Sequence, residues 1–207
     1  MGRAKEIELK VLPAKIANEF VKKHHYSGKV VQNSSLHFGA FLDGGLHGVL
    51  SFGPSLDKSK IVGLVSGTGW NEFIELNRMA FDEYLPRNSE SFCIGKAIRM
   101  IKKMAPQIKW IISFADGTQC GDGTIYRASN FVLTSIKPNK SIMILPSGNT
   151  ISQVTITANW NCVQLKEECD FLGIPLIYRP ASEWIKLGAK YITGYQLRYI
   201  YFIDKNY

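Results

Sequence analysis

The spacing of apolar residues divides the first half of the chain into short strands and two amphipathic helices. A helix is predicted at 14–23, and the strongest helical pattern begins within 86–91, repeats apolar residues at 94, 97, 98 and 101, and stops before Pro106. Asp43, Gly44 and Gly45 predict a hairpin turn between two strands. The predicted strands are 6–11, 36–42, 46–52, 61–65 and 73–81.

The second half of the chain also alternates between predicted strands and predicted helices. The predicted helices are 124–130, 162–171 and 182–190. The predicted strands are 110–115, 131–134, 134–136, 141–145, 152–158, 175–179 and 196–203. Strands that alternate with helices in this way predict an α/β protein with a mixed central sheet and helices on both faces. We expect residues 1–207 to form a single domain, with a less clearly defined C-terminal extension from about 140 to 207.

One stretch combines a buried strand with a polar, flexible loop. The apolar run 110–115 ends at Asp116, and three glycines (Gly117, Gly121, Gly123) follow before the helix predicted at 124–130. Ligands bind at the carboxyl ends of strands in open α/β sheets, which makes Asp116 a candidate. Its carboxylate fits two roles, as an ordinary cap or turn residue or as a group that orients or deprotonates an amine.

Composition narrows the class of protein. Apolar residues make up 45% of the 207, which is enough for a real core. No apolar run is long enough to span a membrane, and the N-terminus has no apolar secretory region, so we expect a cytoplasmic protein. The four cysteines show no metal-binding spacing and predict free thiols. The net charge of +8 suits a polyanionic partner such as nucleic acid.

Polar residues inside the predicted strand 73–81 suggest a site. Strict alternation places Glu75 and Asn77 on one face and Arg78 on the other. An ion pair within the fold would explain these residues. We favour an Arg78 that faces a ligand, because a planar guanidinium suits phosphate or carboxylate. Tyr126, in the helix after Asp116, fits either core packing or the protonation of a leaving group. Arg127 fits either a solvated side chain or a phosphate contact.

Two helix ends carry further candidates. Lys22, Lys23, His24, His25 and Tyr26 close the first helix, where a cationic histidine would be stabilised by the helix dipole. Adjacent histidines point in different directions, so at most one of them, such as His25, would join a metal site. The start of the long helix offers backbone amides to phosphate, or simply caps itself. Its candidate residues are Arg87, Asn88, Ser89 and Ser91.

Four motifs together resemble the Mom family of phage DNA-modification proteins, which is related to the GNAT acyltransferases. They are KHHYSG (23–28), ELNRMAF (75–81), PRNSES (86–91) and SFADGTQCGDGTIYRASNF (113–131). The resemblance extends over roughly residues 8 to 136 and implies a GNAT-like fold. It also implies attachment of an acetamido (carbamoylmethyl) group to the exocyclic amine of adenine in phage DNA, which protects the DNA from host restriction in the cytoplasm of the infected bacterium.

The resemblance also implies which residues act. Functional positions of the family match His25, Tyr26, Arg78, Asp116 and Tyr126. GNAT enzymes hold acetyl-CoA with a glycine-rich turn, whereas the equivalent turn 87–91 has no glycine. The donor is therefore either acetyl-CoA or another activated small molecule, and iron stays open as a cofactor.

From these residues we expect an enzyme that acts on double-stranded DNA with an extruded adenine. Asp116 would orient or deprotonate the amine, and Arg78 would hold phosphate or an acyl carboxylate. His25 and Tyr26 would line the pocket, and Tyr126 would serve the donor side. Contacts to the DNA backbone are expected from Lys22, Lys23 and Arg127. The alternatives are a conventional acetyl-CoA-dependent N-acetyltransferase and a DNA-binding protein without catalysis.

Overall fold

The computed structural model describes residues 2–118 and 121–207. The chain divides into two compact units. The first comprises the chain up to Ala115, Asp122–Ser135 and Leu197–Tyr207, and the second comprises Asp116–Gly121 and Ile136–Gln196.

A sheet of seven strands and a smaller sheet of three strands organise the described residues. The larger sheet has the order β1-β2-β3-β4-β5-β10-β6, in which β1 to β4 are antiparallel neighbours and β4 pairs with β5 in parallel. The smaller sheet has the order β8-β7-β9 and lies in the second unit. The strands are β1 Glu8–Val11, β2 Leu36–Leu42, β3 Gly45–Gly53, β4 Phe73–Phe81, β5 Trp110–Asp116, β6 Val132–Asn139, β7 Ile142–Ile144, β8 Thr150–Ser152, β9 Lys190–Tyr191 and β10 Gly194–Phe202.

Seven α-helices and one 3-10 helix (Arg3–Glu6) accompany these strands in the described residues. The α-helices are α1 Ala14–His24, α2 Lys58–Val62, α3 Ser89–Met104, α4 Thr124–Ala128, α5 Gln153–Ala158, α6 Val163–Leu172 and α7 Ala181–Lys186.

Helices cover both faces of the first unit's sheet, as predicted. On one face, Ala17 and Val21 of α1 pack with Val49 and Ala80 of the sheet. On the other, the apolar stripe of α3 packs with Leu76 and its neighbours in the main core. Burying these two stripes against the sheet provides the main stabilisation of the unit.

Many element predictions are confirmed. The bounds of β2 and β4 agree with the sequence pattern, and the hairpin turn occurs at Asp43 (φ +51°) and Gly44 (φ +82°). The left-handed backbone of both residues matches the twist of paired strands.

Three strand predictions are wrong. Residues 58–62 form α2, because Ile61, Val62, Leu64 and Val65 cover a satellite core at helical spacing. Residues 153–158 form α5, which Ser152 caps by accepting a hydrogen bond from the Thr155 amide at 3.1 Å. Residues 175–179 lie outside every strand and helix of the described chain, between prolines that cannot donate to a ladder.

Candidate active site

An irregularity in β4 determines where Arg78 points. Ser51 of β3 pairs with Arg78 and Phe52 pairs with Leu76, so Asn77 is an extra residue in a β-bulge. Leu76 faces the main core under α3, whereas Arg78 shares a face with Ala80, which packs under α1. The expectation that Arg78 and Glu75 point to opposite faces is therefore wrong, because the bulge reverses the alternation after Leu76.

β4 and β5 separate beside this bulge. Their parallel pairing runs through Phe73–Trp110 and Ile74–Ile111 and ends with Glu75–Ile112. The rest of β4, which includes Arg78, lacks this partner strand. Separation of two sheet strands leaves unpaired backbone groups, which a ligand can then satisfy.

Arg78 is held firmly and partly withdrawn from water. Its Nε donates to the Lys29 carbonyl oxygen at 2.9 Å, and one Nη donates to the Asn77 carbonyl oxygen at 2.8 Å. Burial lowers the pKa of the guanidinium, and the negative charge of Tyr26, Glu75 and Tyr126 in their ionised forms opposes that shift. Arginine remains protonated at neutral pH after such a shift, so the site carries a fixed positive charge.

His25 is neutral beside this arginine. Burial lowers its pKa to about 4, with a further contribution from the positive charge of Arg78. Its Nδ1 accepts a hydrogen bond from the Ser27 amide at 3.1 Å and lies 2.8 Å from Ser27 Oγ. The proton of the neutral ring therefore resides on Nε2. The ring of Tyr26 lies against His25 with 4.3 Å between centroids.

Tyr126 is almost fully buried within the first unit. Its ring contacts Phe131 and Tyr199, with centroid distances of 5.6 and 5.3 Å. Gly123 permits this arrangement, because a Cβ there would lie 2.4 Å from the Tyr199 ring. Tyr126 therefore packs in the core of the first unit, and its protonation of a leaving group stays a prediction.

Asp116 belongs to the second unit, whereas Arg78, His25, Tyr26 and Tyr126 all belong to the first. The Asp116 carboxylate accepts hydrogen bonds from the Thr118 amide at 2.9 Å and from Asn139 Nδ2 at 3.4 Å. The next amide, that of Gly117, donates to the Tyr195 carbonyl oxygen at 2.7 Å. These hydrogen bonds hold the end of β5 in place. The Asp116 carboxylate is half-buried.

The start of α3 retains a backbone suited to an anion despite its lack of glycine. Asn88 adopts a left-handed conformation (φ +70°), which glycine usually provides. The hydroxyl of Ser89 donates to the Pro86 carbonyl oxygen, and that of Ser91 donates to the Asn88 carbonyl oxygen. Arg87 is exposed beside them. Amides at a helix N-terminus attract anions, and the binding of a donor phosphate by these residues stays a prediction.

The basic candidate residues differ in whether their side chains are already bound to neighbouring groups. Lys22 and Lys23 are exposed in the last turn of α1. Arg127 instead donates to the carboxylate of Asp122 at 2.6 Å and to the hydroxyl oxygens of Thr124 and Tyr199 at 3.0 and 3.2 Å. Arg127 therefore stabilises the loop before α4 as well as presenting a charge.

A metal centre does not fit the described residues. No group of three or more His, Cys, Asp and Glu side chains in 2–118 and 121–207 could hold an ion. Nδ1 of His25 is already engaged by Ser27. Cys93, Cys162 and Cys169 are free and buried, and Cys120 lies outside the described residues.

No α-helix in the described part of the chain has the length and apolar character needed to span a bilayer.

Polar residues are buried near the bulge of β4. Asn77 and Ser55 are more than nine-tenths buried, and Glu75 is half-buried. The sequence analysis pointed to Glu75 and Asn77 as polar residues inside a strand but did not single out Ser55. The available signal was two polar residues inside an apolar strand, but the bulge that joins them to Arg78 depends on pairing between β3 and β4.

Solved structures share this fold. The ribosomal-protein-S18-alanine N-acetyltransferase of Escherichia coli aligns with a TM-score of 0.51 and 8% identity, covering 96% of this chain and 94% of that one. The spermidine/spermine N-acetyltransferase SpeG of Vibrio cholerae aligns with a TM-score of 0.51 and 10% identity, covering 99% and 97%. The fold is therefore that of the GNAT acetyltransferases, as the sequence predicted.

Sequence relatives define the family. The methylcarbamoylase Mom of Escherichia phage Mu is 38% identical over 129 residues, which are 62% of this chain and 53% of the phage Mu protein. The match thus spans about half the length of that relative. The model of the Mom protein family matches residues 6–207. This chain belongs to the Mom protein family.

Proposed function

We propose that this protein transfers an acetamido (carbamoylmethyl) group to the exocyclic amine of adenine in phage DNA, which protects the DNA from host restriction. The observation that carries the proposal is the convergence of His25, Tyr26 and Tyr126 around Arg78, on a strand that separates from its neighbour. Membership of the Mom family supports the same reaction.

The reaction forms a carbon–nitrogen bond and releases the remainder of the donor. The adenine amine is a poor nucleophile that is paired in duplex DNA, so the base must be extruded. Asp116 would orient the amine and take its proton, and Arg78 would stabilise negative charge on phosphate or acyl oxygen. The Tyr126 phenol would protonate the departing group. Neutral His25 and Tyr26 would complete the wall of the site.

Charge distribution supports a nucleic-acid substrate. The first unit contains 19 of the 25 lysines and arginines but 12 of the 17 acids, so it holds most of the net positive charge. Lys22 and Lys23 lie on α1 shortly before His25 and are exposed. Cations next to the catalytic cluster would hold the DNA backbone while the base enters.

The reaction is tested by expressing the protein with plasmid DNA, digesting the DNA to nucleosides and analysing them by mass spectrometry. We expect deoxyadenosine that carries a carbamoylmethyl group on its exocyclic amine, and only when the active protein is present. Ordinary deoxyadenosine alone, from cells containing folded protein, would contradict the proposal. An N-acetylated amine elsewhere would point to a conventional acetyltransferase, and DNA binding without any product would point to a non-catalytic binding protein.

The backbone contacts are tested by replacing Lys22 and Lys23 with alanine. We expect weaker DNA binding and a shallower dependence of log K on log salt, by about 2 units, because each lysine that contacts phosphate contributes roughly 1. Fluorescence anisotropy with a labelled duplex over a salt series measures both effects.

Lys102→Ala with Lys103→Ala is the matched control, because these two lysines are also exposed in the last turn of a helix. The two double variants have the same net charge. Equal losses of affinity would mean that only total charge matters, and Lys22 and Lys23 would then not be specific contacts.

A further inference from the structure

Leu56 is an apolar side chain that the fold leaves in solvent. It is 86% exposed, the highest value among the large apolar side chains of the described residues. Ser55, directly before it in the chain, is only 5% exposed. Single exposed leucines are common on protein surfaces. What distinguishes Leu56 is the anchoring of its neighbours and its position beside the residues that surround Arg78.

Hydrogen bonds anchor the chain on both sides of Leu56. Before it, the Pro54 carbonyl oxygen accepts from Asn33 Nδ2 at 2.8 Å. After it, the Asp57 carbonyl oxygen accepts from the Lys60 amide at 3.1 Å, in the first turn of α2. A side chain on an anchored segment loses little conformational freedom when it binds a partner. Leu56 is therefore prepared for a contact that the protein alone does not provide.

The segment that carries Leu56 starts beside Arg78. Gly53, the last residue of β3, pairs with Glu75, where the pairing of β4 with β5 ends. The Ser55 side chain is hydrogen-bonded to the Glu75 carboxylate, and this bond and the positive charge of Arg78 oppose the rise in the pKa of Glu75 that burial causes. Three residues of chain span at most about 11 Å, so Leu56 lies within that distance of Gly53.

A cation and an aromatic ring accompany Leu56 in the loop between β3 and β4 (residues 54–72). The Lys58 ammonium is 4.8 Å from the centre of the Trp70 ring, and Trp70 is half exposed. Lys58 donates to Asn71 Oδ1 at 3.2 Å, and no carboxylate in the described part of the chain neutralises its charge. An apolar side chain next to a positive charge suits DNA, in which phosphates flank stacked bases.

DNA from which a base has been extruded contains a gap in its stack. Proteins that distort DNA frequently insert apolar side chains, leucine among them, between base steps. We propose that Leu56 enters the duplex beside the extruded adenine and fills part of the space that the base leaves. This inference rests on the proposed function, because it concerns the same DNA. The apolar contact would offset part of the cost of unstacking the adenine.

Insertion of Leu56 would add affinity for distorted DNA without reading its sequence. An aliphatic side chain has no hydrogen-bonding groups, so it cannot distinguish the donor and acceptor patterns of the base pairs next to the gap. Lys58, two residues further on, would contact a phosphate near the gap. The effect of Leu56 should therefore appear with any duplex that contains a gap.

The proposal is tested by fluorescence anisotropy with the full-length protein and two labelled duplexes of randomised flanking sequence. One duplex is intact, and in the other an abasic site replaces one adenine. Wild-type protein should bind the abasic duplex roughly tenfold or more tightly than the intact one, as expected when a leucine side chain is buried in the gap. Leu56→Ala should lose most of this preference, and Leu56→Met, which keeps an apolar side chain of similar volume, should retain it.

Val163→Ala is the control, because Val163 is a 69% exposed apolar side chain at the start of α6. This variant should keep the wild-type preference. Leu56 is exposed, so its substitution should leave the fold intact, which thermal melts check. The proposal is overturned if the wild-type protein shows no preference for the abasic duplex, or if Leu56→Ala keeps the preference in full.

The outcomes separate this inference from the proposed function. A Leu56-dependent preference for the abasic duplex, in a protein that never modifies plasmid DNA, would keep the insertion of Leu56 and remove the DNA reaction. Carbamoylmethylation of plasmid DNA by a protein whose preference does not depend on Leu56 would keep the reaction and remove the insertion. The ratio of the two dissociation constants therefore decides the role of Leu56 independently of the modification.

Discussion

Replacing Arg78 with lysine should lower the yield of modified adenine in plasmid DNA by about 100-fold or more, because a small misplacement of a charged group has effects of that size. The guanidinium uses Nε and one Nη to bind the carbonyl oxygens of Lys29 and Asn77, which directs its remaining donors. A lysine ammonium can keep the charge and one of these bonds. It cannot reproduce the planar fork.

The comparison of Arg78→Lys with Arg99→Lys isolates the effect of position. Arg99 is exposed on α3, and the same change there should leave the yield unchanged. Thermal melts establish that both variants are folded, and nucleoside mass spectrometry measures the product. If Arg78→Lys retains full activity, only positive charge is needed at this position, and the precise hydrogen bonding of Arg78 has no functional role.

The sequence was sufficient for the elements that have one strong local pattern. The limits of β2 and β4 were recovered because apolar residues mark both ends of each strand, and turns or polar loops follow them. The helix α1 and the apolar stripe of α3 were recovered from their spacing. The fold class followed from the order of these elements together with the family resemblance.

The local sequence pattern gave wrong predictions where pairing with another strand or packing against the core determines the structure. Alternation in β4 holds up to Leu76, but the bulge at Asn77 is produced by the register with β3 and cannot be read from β4 alone. The short helices α2 and α5 were mistaken for strands, since brief apolar runs fit both periods. The structure therefore places Asn77 in a bulge and Glu75 on the same face of β4 as Arg78, which the pattern of β4 alone did not predict.

For the candidate site too, the sequence suggested the residue types, and the fold shows which of them lie in the same unit. His25, Tyr26, Arg78 and Tyr126 come together in the first unit, although up to about a hundred residues separate them in the chain. Their residue types suggested chemistry, but only the fold shows that Arg78 influences His25. The role of Asp116 stays a prediction, because it depends on the reaction and is decided by its substitution.

Replacing Asp116 with asparagine should reduce the yield of modified adenine by about 10²- to 10⁴-fold, the range that a positioned proton acceptor contributes. Asparagine keeps an oxygen that can accept from the Thr118 amide and from Asn139, so the end of β5 should retain its structure. What it lacks is the negative charge and the ability to take a proton. Nucleoside mass spectrometry measures the loss, and thermal melting checks the fold.

Asp170→Asn makes the same chemical change at an exposed position in α6 and should have no effect on the yield. A large loss in Asp116→Asn alone identifies Asp116 as the proton acceptor for the adenine amine. A loss of only about tenfold corresponds to one weakened hydrogen bond and would mean that Asp116 orients the amine while another group removes its proton. Undiminished activity would show that the carboxylate serves only the turn that follows β5.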